Sequence, residues 1–495
     1  MKREHIPLET LNPFARLYGV SLRGVTFGKL RAEDGTDKGG AIIATQEKQS
    51  VDDESPEEDI LIKIPSDMIL SLDMVHDRAK YDRHLGEVLE AVGDFGKTDR
   101  GAILIFLLIQ ISHSSPDLAK AKQKIGLSNA WTEYVKFLPP FIPLPTFWTM
   151  EELELLRGTS LRLAYEAKIA ALEKEFDHVR QATEVISWCQ NSWWDEDTCA
   201  VTLEDWKYLD AVFRSRMVDL PGYGHVMVPC IDMANHAPEP TVNAFYGKDV
   251  DGNAILYLRL GKQLHADEEI TISYGQEKSA AEMVFSYGFL DAKKNNARQI
   301  QLDLDIPDDD PLGMAKMAFC REIPRVRIFG QTTSSGAVET RWESPIVWWA
   351  CVNEEDGLEF AVLQANDGSK QLKITWKGKD VETPHHLRDL LAADPSWDIF
   401  QLRAAVLILE RLETQFFILK TTEGMISDIN DSEDMRALFR PEIFSTVTKL
   451  RQLEGELLEM ATRDLEKQRN DLMESDIVSK YLAQQQSAEV EDDFS

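Results

Sequence analysis

The stretch 228–290 constrains this chain more than any other. It opens on Val228-Pro229-Cys230-Ile231-Asp232-Met233-Ala234-Asn235-His236. It closes on Glu269-Ile270-Thr271-Ile272-Ser273-Tyr274-Gly275, followed by Ser286-Tyr287-Gly288-Phe289-Leu290. Between these ends, 241–246 and 254–260 are β-branched and aromatic runs, and Asp251-Gly252 between them predicts a hairpin turn. A further strand is predicted over 226–231. The stretch therefore reads as short strands and turns, with a polar Asn-His pair at one end and tyrosines at the other. Taken singly, the Asn-His pair also fits a turn or a satisfied core histidine, and Tyr274-Gly275 fits plain strand termination.

A chain of 495 residues with 43% hydrophobic content supports more than one domain with a real core. The net charge of −31, from 54 Lys+Arg against 85 Asp+Glu, argues against nucleic acid as a partner. It suits a basic protein partner and equally suits simple solubility. Asp52, Asp53, Glu54, Glu57, Glu58 and Asp59 are expected to form a solvated acidic loop, with a role in steering basic substrates as the alternative. Cys189, Cys199, Cys230, Cys320 and Cys351 are scattered, so no zinc site and a reducing compartment are expected. The first residues lack a signal-peptide core, the last match no retention signal, and the longest apolar run, 102–108, is too short to span a bilayer. A soluble protein of the cytosol or nucleus, with no membrane partner, is the expectation.

Lys38-Gly39-Gly40-Ala41 precedes a β run, which suggests a tight turn or a backbone that must approach something closely. Residues 60–64, ending in Pro65, read as a strand. Gly24-Val25-Thr26-Phe27-Gly28-Lys29-Leu30 is one residue short of a phosphate loop and lacks its hydroxyl. From 99 to 215 the pattern is helical. Thr98 or Asp99 caps the segment 102–111, and Thr149 starts another helix. Trp131, Tyr134 and Phe137 form a core stripe at helical spacing. Arg214 and Arg216 close this region as helix-end cations. Further on, 302–311 reads as an acidic linker and 340–380 as β-rich, with strands over 346–352, 360–363 and 372–376. Residues 385–482 read as helical, with Leu450, Leu453, Leu457, Leu458 and Met460 on one apolar face. Gln484-Gln485-Gln486 is expected to be disordered.

The joint order of these parts resembles the C-terminal half of a SET domain, the fold of protein lysine methyltransferases. It is most similar to the branch typified by Rubisco large-subunit methyltransferase. Trp131-Thr132-Glu133-Tyr134 through Phe147-Trp148-Thr149 is similar to the helical insert of that branch. The resemblance implies an α+β fold: a SET β core of short sheets with a knot-like crossing and a helical insert over about 101–215. It implies a SET domain over 1–300 and a mainly helical substrate-binding domain over 301–495. The implied activity is S-adenosyl-L-methionine-dependent lysine N-methylation of a non-histone protein, such as a basic ribosomal protein. A protein-histidine methyltransferase and a non-catalytic scaffold are the alternatives. Carried over residue by residue, Tyr274 is the implied catalytic residue. Gly39, Gly40, Arg216, Asp232, Asn235, His236 and Phe289 are implied at the cofactor, and Tyr287 with Arg216 in the substrate channel. No metal is implied, and a monomer is expected. Ala41 stands where the family has a second glycine.

Overall fold

The computed structural model describes residues 1–31, 37–50, 57–116, 125–195, 201–291, 294–304, 310–332, 338–364 and 370–492. Two units emerge. The first holds Met1–Trp148, Ala164–Glu277 and Phe285–Asp291. The second holds Thr149–Leu163, Lys278–Val284 and Ala292–Ser495.

The first unit is built on two four-stranded sheets. One runs in the order Ser21–Leu22, Ile60–Ile64, Ala254–Leu258, Ala244–Lys248. Its last pair is the expected hairpin, with Leu256 opposite Tyr246. The turn is made by Asp249, whose carboxylate accepts the N–H groups of Asp251 (3.0 Å) and Asn253 (2.9 Å). The strand begins at Ala244, later than the sequence suggests, because Val242 and Thr241 fold back onto the Pro238 carbonyl. The other sheet runs Val25–Arg31, Asp37–Ala44, Glu269–Ile272, Asn235–His236. Its last pair is parallel, with Thr271 opposite Asn235 and Ile272 opposite His236. The strand latest in sequence thus lies between two made before it, one from the beginning of the chain and one from its middle. The strand expected over 226–231 stops at Met227, and Ile231–Met233 forms a single 3₁₀ turn. Cys230, with φ of 71°, makes the bend between them.

Helix Asp99–Ser114 starts where the Thr98 side chain accepts the Gly101 N–H (3.0 Å). Residues 102–109 are buried on every side, so this run is a core helix. Leu203–Arg216 carries the fully buried Asp210, which pairs with Arg100 (2.7 Å), Lys168 (2.6 Å) and Arg214 (3.1 Å). Among the described residues no helix is long and apolar enough to cross a membrane. Asp59 is buried, not solvated; Glu57 and Glu58 are exposed, and Asp52, Asp53 and Glu54 lie outside the described residues. Cys189, Cys230, Cys320 and Cys351 are buried free thiols, and Cys199 lies outside the described residues.

The second unit departs from the sequence reading in three places. Residues 346–352 were expected as a strand but begin helix Pro345–Ala350. Ser344 caps it on the Val347 N–H (3.3 Å), Pro345 sits at its first turn, and 346–349 are all buried. A short run buried on all sides carries no period to tell helix from strand. The expected linker is partly strand: Gln299–Asp303 pairs with Arg325–Thr332, and residues 305–309 lie outside the described residues. Residues 484–486 continue helix Asp476–Asp492 instead of losing order. The strands Leu358–Gln364 and Lys370–Trp376 and the helices Trp397–Thr421 and Pro441–Met473 are as expected. On the last helix Leu450, Leu453, Leu457 and Leu458 are buried and Met460 is half-buried.

Helix Pro441–Met473 also buries a polar cluster. Arg451 donates to the carbonyls of Leu155 (3.1 Å), Arg157 (2.5 Å) and Leu419 (2.6 Å). Glu454 accepts from the Ser160 N–H (2.8 Å) and hydroxyl (2.6 Å). Burial lifts the Glu454 carboxyl to about 7, against the bonds from Ser160. A carboxyl raised on folding binds its proton more tightly in the native state than in the unfolded one. Its contribution is therefore favourable below the unfolded value of 4.5 and lost as pH rises toward 7. Glu454→Gln should remove that slope and stabilise the protein by roughly 3 kcal/mol at pH 8 relative to wild type. Denaturant unfolding at pH 5 and pH 8 reads both; an unchanged slope would show that Glu454 ionises freely.

Candidate active site

The turn before the parallel strand pair gathers the polar side chains. Asp232 sits on the 3₁₀ turn with its side chain 1% exposed. Arg216, the last residue of its helix, donates through Nη1 to the Asp232 carboxylate (3.1 Å) and to the Asp232 carbonyl (2.9 Å). Tyr134 donates its hydroxyl to the other carboxylate oxygen. Burial pushes the Asp232 carboxyl above the usual carboxylate value, and Arg216 and Tyr134 offset this only in part. Arg214, two residues earlier, does structural work: it donates to the Phe285 carbonyl (2.7 Å) and its guanidinium lies 4.4 Å from the Phe285 ring centre.

Asn235 joins this turn to the glycine strand. Its amide donates to the Gly40 carbonyl (3.2 Å) and to Glu269 Oε1 (2.7 Å). A side chain at Gly40 would press on Leu8 (3.1 Å) and on Met233 Sδ (3.3 Å). Gly39 has φ of +81° and open space beside its Cα, a conformation that favours glycine. Ala41 is fully buried in the strand.

The aromatic side chains meet next to the Asn-His pair. His236 Nδ1 accepts the Tyr274 N–H (3.1 Å), and their rings lie 5.3 Å apart. Tyr274 donates its hydroxyl to the Ala234 carbonyl (2.9 Å). Tyr287 packs against Tyr274, with ring centres 4.4 Å apart and planes tilted by 32°, and donates to the Tyr274 carbonyl (3.3 Å). Phe289 lies 6.1 Å from His236 and 6.5 Å from Tyr274. Burial raises the Tyr274 phenol to about 12 and the Tyr287 phenol further still.

The architecture has solved counterparts. No family model matches the chain. The SET domain of LSMT bound to methyllysine and AdoHcy superposes with a TM-score of 0.62, at 17% identity, over 95% of this chain and 94% of that one. Rubisco LSMT bound to sinefungin and monomethyllysine gives 0.60 at 16%, over 94% and 92%. The chain has the SET-domain fold. Sequence relatives agree. SET domain-containing protein 8 of Schizosaccharomyces pombe is 30% identical over 279 residues, 56% of this chain and 60% of that protein. The [fructose-bisphosphate aldolase]-lysine N-methyltransferase of Arabidopsis thaliana is 28% identical over 197 residues, 38% of this chain and 39% of that enzyme. The chain thus matches less than two thirds of the length of either relative.

Within the SET fold, three groupings hold the residues singled out from the sequence: Arg216 with Asp232, Asn235 with Gly40, and His236 with Tyr274, Tyr287 and Phe289. Gly39 adjoins the second through Gly40. Among the described residues no cluster of three or more His, Cys, Asp or Glu is arranged to hold a metal. Sequence reasoning missed two participants. Tyr134 was read only as core, although a tyrosine at a buried position needs a partner for its hydroxyl, and that was the available signal. Glu269, the partner of Asn235, looked like an ordinary strand residue.

Gly288 separates Tyr287 from Phe289 with φ of +80°, and a Cβ there would lie 2.5 Å from the Pro143 carbonyl oxygen. Gly288→Ala should cost at least ~2 kcal/mol, from the strained conformation and the backbone clash together. Denaturant unfolding checks it; a loss within experimental error would mean the segment relaxes freely.

Proposed function

We propose that this chain is an S-adenosyl-L-methionine-dependent protein-lysine N-methyltransferase acting on a non-histone protein of basic character. The observation that carries the reading is the convergence of four rings, His236, Tyr274, Tyr287 and Phe289, beside the Asn235–Gly40 link. The residues fit the cofactor. Asn235 Oδ1 accepts no hydrogen bond among the described residues and suits an ammonium group at the amino-acid end. The open space beside Gly39 admits a close backbone approach. The faces of His236 and Phe289 suit an adenine ring, and aromatic faces attract a sulfonium charge. When bound, the cofactor supplies an electrophilic methyl group.

What remains for the protein is to deliver a neutral amine in line with that methyl. Lysine has an ordinary pKa near 10.4, and an aromatic channel disfavours its charged form by stripping water from it. Tyr274, held at about 12, stays a neutral phenol near pH 7. It is therefore no general base, and the amine proton leaves to water. With its own proton committed to the Ala234 carbonyl, the Tyr274 oxygen offers lone pairs to an amine N–H or a polarised methyl. Tyr287 would line the channel, and Arg216 would hold its inner end through Asp232. The excess negative charge supports a basic protein partner and no nucleic acid. The buried free thiols support a reducing cytosolic or nuclear setting. The helical part of 301–495 would hold the protein substrate, and a monomer would suffice.

Cofactor binding should raise the melting temperature by linkage. Asn235→Ala should abolish most of the shift given by S-adenosylhomocysteine; a full shift in that variant would make the Asn-His pair a turn and nothing more. Single-turnover kinetics on a methyl-accepting protein separates the tyrosines. Tyr274→Phe should lower the rate by roughly 10²-fold, the scale of one preorganised polar group, with cofactor affinity little changed. Tyr287→Phe should cost less and shift the ratio of mono-, di- and trimethyl products resolved by mass. A wild-type rate for Tyr274→Phe would overturn the assignment.

A further inference from the structure

We propose that Tyr134, a residue of the helical insert, is a positioning residue that fixes Arg216 through the buried Asp232 carboxylate; this rests on the methyltransferase reading above. The Tyr134 hydroxyl makes two bonds that a phenylalanine could not. It donates to Asp232 Oδ1 and accepts the Cys230 N–H at 2.9 Å. Asp232 Oδ2 takes Arg216. One hydroxyl thus ties both the φ-positive bend at Cys230 and the free end of the carboxylate that holds the guanidinium.

The arrangement has no slack. Tyr134 is fully buried, and its ring is packed by Trp131 (5.2 Å), Phe14 (5.6 Å) and Phe137 (6.1 Å). The Asp232 side chain is 1% exposed, so water has little room to replace a lost donor. Downstream, Arg216 Nη1 reaches Met233 Sδ (3.8 Å), the sulfur that would crowd a side chain at Gly40. Arg216 also acts electrostatically on Tyr274. The insert therefore touches both halves of the site through a single carboxylate. The groups facing Asp232 are Arg216 at the end of its helix, Tyr134 on helix Ala130–Tyr134, Cys230 on its own turn and Tyr274 beyond strand Glu269–Ile272. Loss of the Tyr134 donor removes one of the groups that keep Asp232 ionised, which moves the acid side of the rate profile to higher pH.

The test uses the full-length chain as wild type, Tyr134→Phe, Asp232→Asn and the double variant. Tyr134→Phe is expected to lower turnover roughly 10-fold or more, a loss of placement, with the KM for the protein substrate changed by less than about twofold. Its acid limb should move to higher pH, while Asp232→Asn should lose the part of that limb set by Asp232 and keep the part set by the substrate amine. In the double variant, Tyr134→Phe should cost less stability than it does in wild type, because only the Cys230 N–H bond is left for it to lose. Additive unfolding losses, or an acid limb unmoved in both single variants, would overturn the proposal. Should Tyr134→Phe not fold, the Asp232→Asn profile decides alone: an acid limb kept at its wild-type pH overturns the proposal. A wild-type protein that neither binds S-adenosylhomocysteine nor transfers methyl would sink the methyltransferase reading instead, and the unfolding cycle would still read the Tyr134–Asp232 link.

Discussion

Everything near the site hangs on a parallel pairing only two residues long, Asn235–His236 beside Thr271–Ile272. So short a ladder cannot hold itself, and side chains do the holding. Asn243 accepts the Thr271 N–H (2.8 Å) and donates to the Glu269 carbonyl (2.9 Å). Asn235 reaches Glu269, and Tyr274 ties back to both His236 and Ala234. The groups with proposed chemical roles are also the fasteners. Loss of activity in any of their variants is therefore informative only beside a measure of folding.

Two buried acids supply a second lesson. Asp210 and Asp232 are both almost wholly buried, yet they sit on opposite sides of the ordinary carboxylate value. Burial opposes ionisation at each. Three cations, Arg214, Lys168 and Arg100, overcome it at Asp210 and hold its carboxyl low. At Asp232 one guanidinium and one phenol do not suffice, and the carboxyl stays high. The number of partners decides the sign. Asp210 is a fixed brace; Asp232 holds its place with fewer charged partners.

Much of this was legible in the residues. The hairpin of Tyr246 and Leu256, the Thr98 cap, the core stripe of Trp131 and Phe137, and the order from Asn235 to Phe289 all carry local signals, such as turn chemistry, capping or motif order. What failed was non-local. Trp348 and Trp349 sit in a run buried on all sides, so their helix left no period to read. Cys230 turns the chain at a positive φ that its side chain does not advertise. Tyr134 and Asp232 lie 98 residues apart, and nothing in either neighbourhood names the other.

The central place of strand Glu269–Ile272 also dictates an order of events during synthesis. Its partner Asp37–Ala44 is made roughly two hundred residues earlier, and at about 5–20 residues per second that is a delay on the order of tens of seconds. Until then one edge of the Asp37–Ala44 strand, with Ile42 and Ile43, has no native neighbour to pair with. The nascent chain therefore travels with an open strand edge that invites foreign partners. The sheet can close only once Glu269–Ile272 has been made.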